Sequence, residues 1–174
     1  MNGLAPLALR DGSCVPVRGI RTEDAGALRR LVERSSERSI QLRFFGSLQE
    51  LSESSARHFA DVDGEDRFAL VALDPENANE IVAVVRYDRE GETGAAEYAA
   101  LVEDRFQDRG VGVGLTRRLI EAARENGINR LHAMVMRENS GMLNLLRSLD
   151  LPERKHWEDG TEHIEVDLQP DLAS

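Results

Sequence analysis

The chain reads as one α/β domain on a mixed, mostly antiparallel β-sheet flanked by helices. Two observations predict this. The elements follow the order strand, two or three helices, three strands, helix, strand, helix, two strands, a sandwich-like sequence of layers. The middle of the chain also lacks the regular alternation of strands and helices that a doubly wound parallel fold requires.

Each element has its own signal. Residues 1–14 show no sustained periodicity and are expected to form a flexible lead-in, leaving a single domain at 15–170. Val15 to Ile20 reads as a short edge strand that tolerates Pro16. A helix follows, with Thr22 as its expected cap, Glu23 and Asp24 at its positive end, and Ala25, Leu28, Leu31 and Val32 as its apolar stripe. Its end is expected near Ser35-Ser36. Two short helices are predicted next, one from Arg38 to Phe45 closed by Gly46 and one from Ser52 to Ala60. Phe68 to Leu73 and Ile81 to Tyr87 are β-rich runs joined by the turn-forming Asp74-Pro75-Glu76-Asn77, and a turn around Gly91 to Gly94 leads to a strand from Ala95 to Val102. Leu115, Leu119, Ala122 and Ala123 mark one face of a helix stopped by Asn126-Gly127. A strand from Arg130 to Met136, a helix from Ser140 to Leu149 and a hairpin turning at Asp159-Gly160 complete the chain.

Composition removes whole classes of function. The 174 residues are 41% hydrophobic and 31% charged, as expected of an ordinary soluble domain with a sizeable core. No apolar stretch approaches the roughly 20 residues that span a bilayer, and the N-terminal run has neither the basic start nor the length of a signal peptide. The single cysteine, Cys14, has no partner for an internal disulfide, which fits a cytoplasmic setting. A formal net charge of −10 disfavours nucleic acid as a partner. His58, His132, His156 and His163 show no metal-ligand spacing and read as separately placed, so no metal is expected. Trp157 and Tyr87 read as packing residues.

The informative segment is Gln107-Asp108-Arg109-Gly110-Val111-Gly112-Val113-Gly114, which joins a strand directly to a helix. Glycines let the backbone turn tightly and approach a ligand, and the free amides of the helix start attract an anion. Arg109 offers a charged contact. On spacing alone, a plain strand-to-helix corner remains the alternative. A P-loop is excluded because Gly114 is followed by Leu115 where the motif needs a lysine before its Ser or Thr. Glycines at 110, 112 and 114 do not match the dinucleotide fingerprint either.

Gln107-x-x-Gly110-x-Gly112 after Ala100-Leu101-Val102 resembles the coenzyme A signature of the GNAT acetyltransferase superfamily, and the element order over roughly residues 15–168 is similar to that family's. The resemblance implies the GNAT acyl-coenzyme A N-acyltransferase fold, with acetyl-coenzyme A as cosubstrate and an amine as acceptor. It also implies that the backbone of Ala100, Leu101 and Val102 pairs with the pantetheine arm. The amides of Asp108 to Val113, with Gln107 at the start of the turn, would hold the pyrophosphate, and Asn139 falls on an asparagine that contacts the coenzyme. A narrower resemblance, to bacterial Pat-type protein lysine acetyltransferases, rests on Leu42-Arg43-Phe44-Phe45-Gly46, Ala96-Glu97-Tyr98-Ala99 and Glu138-Asn139-Ser140-Gly141-Met142-Leu143. It implies a protein lysine acceptor, such as one on an acyl-coenzyme A synthetase. A small-molecule amine and a non-catalytic acyl-coenzyme A sensor are the rival readings.

An amine with a pKa of about 10.4 is neutral in only roughly one molecule in a few thousand at pH 7, so transfer needs a base. Glu97 matches the Pat-type base, and a partly buried position there would raise its basicity. The residues alone leave it open as an exposed strand glutamate. Strand alternation puts Glu97, Ala99 and Leu101 on one face and Tyr98, Ala100 and Val102 on the other. The resemblance further implies direct attack without an acyl-enzyme, with Cys14 uninvolved. Many superfamily members carry a tyrosine acid on the last helix where this chain has Leu146. Arg38, Arg43, Phe44 and Phe45 either border the acceptor site or pack.

Overall fold

The described part of the chain opens on a small ribbon. In the computed structural model, which describes residues 4–46 and 48–169, β1 (Leu7–Ala8) pairs antiparallel with β2 (Cys14–Val15). The flexible lead-in expected at 1–14 is in its described part a ribbon, with Leu7 and Leu9 buried in the main core and Cys14 exposed. Two-residue strands carry no periodicity, and contacts with distant residues hold this one in place.

The main sheet begins with β3 (Val17–Gly19). A 3-10 turn, Thr22–Asp24, leads into α1 (Ala25–Arg34), followed by α2 (Glu37–Phe44) and α3 (Glu53–Ala60). Thr22 does not cap α1. Asp24 occupies that position, and its carboxylate accepts from the Arg21 amide (2.8 Å) and from the Arg18 guanidinium (2.7 and 2.9 Å). Ser36 and Ser52 cap α2 and α3 by accepting from the Ser39 and Ser55 amides. The chain then runs through β4 (Arg67–Asp74), β5 (Asn77–Arg89), β6 (Ala95–Val102), α4 (Val111–Glu125), β7 (Arg130–Met136), α5 (Ser140–Ser148), β8 (Glu153–Glu158) and β9 (Thr161–Asp167). Asp159 and Gly160, with φ of 49° and 78°, make the left-handed two-residue turn that suits a twisted hairpin.

The seven-stranded sheet has the order β3-β4-β5-β6-β7-β9-β8, and only β6 and β7 run parallel. One face packs against α4, α5 and the ribbon, through Leu115, Leu119, Ala123 and Leu146. The other packs against α1, α3 and Ile40 of α2, through Leu28, Leu31, Val32 and Ala56. β6 keeps an uninterrupted register with β5 from Ala96 to Val102, so the alternation read from the sequence holds: Tyr98 enters the first core and Leu101 the second. Tyr87 is fully buried and stacks on Phe68, whereas Trp157 is half exposed beside Arg137. Among the described residues, no helix is long and apolar enough to cross a membrane.

Candidate active site

The site lies where the sheet splits. β6 and β7 pair only at Ala95–Glu97 and Arg130–His132; beyond that point β6 stays with β5 as far as Val102, and β7 stays with β9 as far as Met136. The divergence opens a cavity of about 550 Å³, walled by Tyr98–Val102, Ala133–Val135, the glycine turn, the start of α5, and α2 from Arg38 to Arg43. Glu97, Ala100, Leu101, Val102, Gln107, Asp108, Gly110, Val111, Gly112, Val113 and Asn139 all line it. Arg109 does not.

The turn is built to present backbone N–H groups. Asp108 (φ 58°) and Gly110 (φ 90°) are both left-handed, and the first helical bond of α4 is Gly114 N–H to the Gly110 carbonyl, 3.0 Å. The amides of Val111, Gly112 and Val113 therefore have no intrahelical partner and form the positive end of a fifteen-residue helix. A Cβ on Gly112 would lie 2.9 Å from Leu145 Cδ1, so this glycine lets α4 and α5 approach beside the cavity. The third glycine has another task. A Cβ on Gly114 would fall 2.5 Å from Leu7 Cδ1, so Gly114 seats the N-terminal ribbon. This row of amides next to a roomy cavity fits the diphosphate of a coenzyme.

Two side chains of the motif make contacts that the sequence did not show. The Arg109 guanidinium donates to Asp11 (2.9 Å) and Ser13 (3.3 Å) and lies over Phe106, which turns it away from the cavity. Gln107 Nε2 donates to the Val102 carbonyl (2.9 Å) and to Ser39 Oγ (3.0 Å), tying the end of β6 to α2. It positions the strand and the turn. Asp104 reinforces the same junction by accepting from the Ser36 amide, the Ser36 hydroxyl and the Ser39 hydroxyl. Burial pushes its carboxyl up, but these hydrogen bonds outweigh that and hold it below the usual range. Asn139 caps α5 by accepting from the Met142 amide at 3.0 Å, while its Nδ2 has no acceptor among the described residues.

At the other end of the cavity stands Glu97. The sequence reading expected a partly buried carboxylate; its side chain is exposed, at the point where the β6/β7 ladder ends. Half-buried Arg43 lines the wall nearby. Burial and the charge of Arg86 lower the Arg43 pKa, partly offset by Glu97 and Asp88. Arg38 crosses to the Glu138 carbonyl at 3.4 Å, Phe44 packs into the second core, and Phe45 is exposed outside the cavity wall. The hydroxyl of Tyr98, next to Glu97 in β6, is committed to the core. Thr116 Oγ1 donates to the Gly112 carbonyl (2.7 Å), so the Tyr98 hydroxyl, 2.7 Å from Thr116, is the donor between them. Its burial pushes ionisation well above the ordinary phenol range. Leu146 is buried in the core outside the cavity wall, and Leu145 takes the lining position.

The histidines are not all separate, as the sequence reading had them. His156 and His163 are direct partners across β8 and β9, with rings stacked at 4.7 Å, and Glu158 Oε2 lies 3.9 and 3.7 Å from their Nε2 atoms. Cross-strand register, invisible in linear spacing, brings them together. His132 lies 3.3 Å from Glu90, away from that pair.

Comparison with known proteins agrees with this geometry. Residues 33–150 match the model of the Acetyltransferase (GNAT) family. The GNAT domain of Streptomyces lividans PAT superposes with a TM-score of 0.85 at 35% identity, covering 94% of this chain and 96% of that one. Acetyltransferase PA5475 of Pseudomonas aeruginosa is 30% identical over 90% of this chain and 85% of its own. Acetyltransferase Pat of Mycolicibacterium smegmatis is 31% identical over 83% of this chain but only 43% of its own length, so the chain spans less than half of that protein. An amide-lined turn at the mouth of a split sheet, together with these matches, places the chain in the GNAT family of acetyl-coenzyme A-dependent N-acetyltransferases.

Proposed function

We propose that the chain acetylates a lysine side chain of a partner protein, by direct attack of the amine with Glu97 as general base, in a cytoplasmic setting. The observation that carries this reading is the position of Glu97: it lines the same cavity as the amide turn, at the end where β6 and β7 part. The likeness to the Pat proteins of Streptomyces lividans and Mycolicibacterium smegmatis supports a protein acceptor.

When bound, acetyl-coenzyme A supplies an activated acyl group. The Val111, Gly112 and Val113 amides hold its phosphates, and the cavity-facing edge of β6 from Ala100 to Val102 aligns its arm. Gln107 keeps that strand end in place through the Val102 carbonyl. Glu97 accepts the proton of the incoming amine, which must be neutral to attack. The amine nitrogen bonds to the acetyl carbon as the thioester C–S bond breaks, and coenzyme A leaves as a thiolate, since neither Tyr98, hydrogen-bonded in the core, nor Leu146 offers a proton to the cavity.

Incubation with acetyl-coenzyme A and an acyl-coenzyme A synthetase, followed by mapping of acetylated lysines by mass spectrometry, tests the reading. A defined lysine modified by the wild type and not by Glu97→Gln is expected. Rapid turnover of a polyamine or amino acid without protein modification would instead establish a small-molecule enzyme. Tight coenzyme binding with no acceptor in a broad screen would make it a sensor.

A further inference from the structure

Arg10 lies in the segment that the sequence left without structure, yet it reaches the glycine turn. Its amide donates to the Arg109 carbonyl at 3.1 Å, closing the ribbon onto the turn. Its Cγ and Nε lie 3.5 and 3.7 Å from where a Cβ on Gly110 would be, so its stem runs directly over that glycine. Leu7, seated on Gly114, fixes the same ribbon one helical turn further along α4. Arg10 lines the cavity, and its guanidinium has no hydrogen-bonding or ion-pair partner among the described residues.

The contrast with Arg109 is chemical as well as geometric. Arg109 is the basic residue of the motif itself, but Asp11 and Ser13 hold it outside the cavity. Hydrogen bonds from the Ser13 hydroxyl and amide bring the Asp11 carboxyl down to about 2, so it remains an anion through the neutral range and keeps Arg109 engaged. Asp108 adds a carboxylate to the cavity wall. Among the described residues of the cavity wall at this turn, Asp108 therefore presents a carboxylate to a phosphate-bearing ligand and Arg10 a guanidinium without a hydrogen-bonding or ion-pair partner.

We propose that Arg10, and not Arg109, is the side chain that pairs with the phosphates of the coenzyme at this turn. The proposal rests on the coenzyme reading of the cavity and adds to it a binding residue from outside the signature. Asp11 assists by removing Arg109 as a competitor for the same volume, while the turn supplies the backbone amides.

Calorimetric titration of the full chain with acetyl-coenzyme A, dephospho-coenzyme A and pantetheine, on the wild type, Arg10→Gln and Arg10→Ala, tests this. A charge-assisted contact of this kind corresponds to a loss of about tenfold or more in affinity for acetyl-coenzyme A in both variants. The loss should shrink at high salt, and KM for the coenzyme should rise with kcat unchanged. If dephospho-coenzyme A shows the same loss, Arg10 meets the diphosphate; if it shows none, Arg10 meets the 3′-phosphate. Either result supports the proposal. Wild-type affinity in both variants, with their melting transitions unchanged, overturns it while leaving the coenzyme reading intact. Failure of the wild type to bind acetyl-coenzyme A would overturn the coenzyme reading itself.

Discussion

Asp88 stands directly opposite Glu97 in the antiparallel ladder of β5 and β6. Like charges in that relation repel, and the fold relieves this by engaging Asp88 elsewhere: Arg67 donates to it at 2.8 Å and Arg86 at 3.0 Å. Arg86 is itself buried, with the Phe59 carbonyl as its other acceptor and the Phe59 ring beneath it. The face of the sheet under Glu97 is thus a charge network in which, among the described residues, the carboxylate of Asp88 is engaged by arginines while that of Glu97 lines the cavity without a hydrogen-bonding partner.

Replacing Asp88 with Asn should therefore act on stability before chemistry. Arg86 would lose its charged partner in a buried setting, at a cost of about 1–2 kcal/mol, with partial exposure of Asp88 limiting the effect. Urea denaturation should show a lower midpoint with an unchanged slope, and acetyl-coenzyme A affinity should stay within about twofold of wild type. An unchanged midpoint would mean that Arg86 is satisfied without Asp88.

The glycines of the turn should separate by function. Gly112→Asp places a side chain 2.9 Å from Leu145 Cδ1 and a negative charge at the start of α4, and KM for acetyl-coenzyme A should rise about tenfold or more. Gly114→Ala meets Leu7 instead and should mainly destabilise the ribbon, by about 1–3 kcal/mol in denaturant titration. Equal effects of the two substitutions on coenzyme KM would contradict this division.

Stability should fall in acid. Burial raises the carboxyls of Asp24, Asp74 and Asp88, but hydrogen bonds and nearby arginines outweigh it and leave all three below their ordinary value of 3.8. A carboxyl lowered on folding contributes stability above its unfolded pKa, and that contribution is lost as pH falls through its folded pKa. The thermal midpoint should thus be nearly flat from about pH 7 to 5 and drop below about pH 4. A midpoint that rises on acidification would contradict the sign.

Much of this was legible in the chain. The apolar stripes of α1 and α4, the turn at Asp74 to Asn77 and the left-handed pair Asp159-Gly160 are local signals, and local signals survive folding. The glycine turn was legible for the same reason, because a helix start with left-handed glycine needs only neighbours in sequence. What the sequence hid depends on distant partners. Arg109 looks available until Asp11 arrives from across the fold. The ribbon at Leu7 exists because Gly114 leaves room for it. The third glycine was the trace of that contact, since a cradle ending at Gly112 does not require it. Likewise, only strand register reveals that His156 meets His163, or that Glu97 is exposed where the sheet splits.

In the proposed mechanism Glu97 takes the proton of the acceptor amine. The decisive measurement is the pH dependence of kcat for the wild type and for Glu97→Gln with one acceptor. The variant should lose about 10²–10⁴-fold near neutral pH, recovered in part as rising pH deprotonates the amine without help, with coenzyme affinity retained. Equal rates and superimposable pH profiles for the two proteins would contradict it.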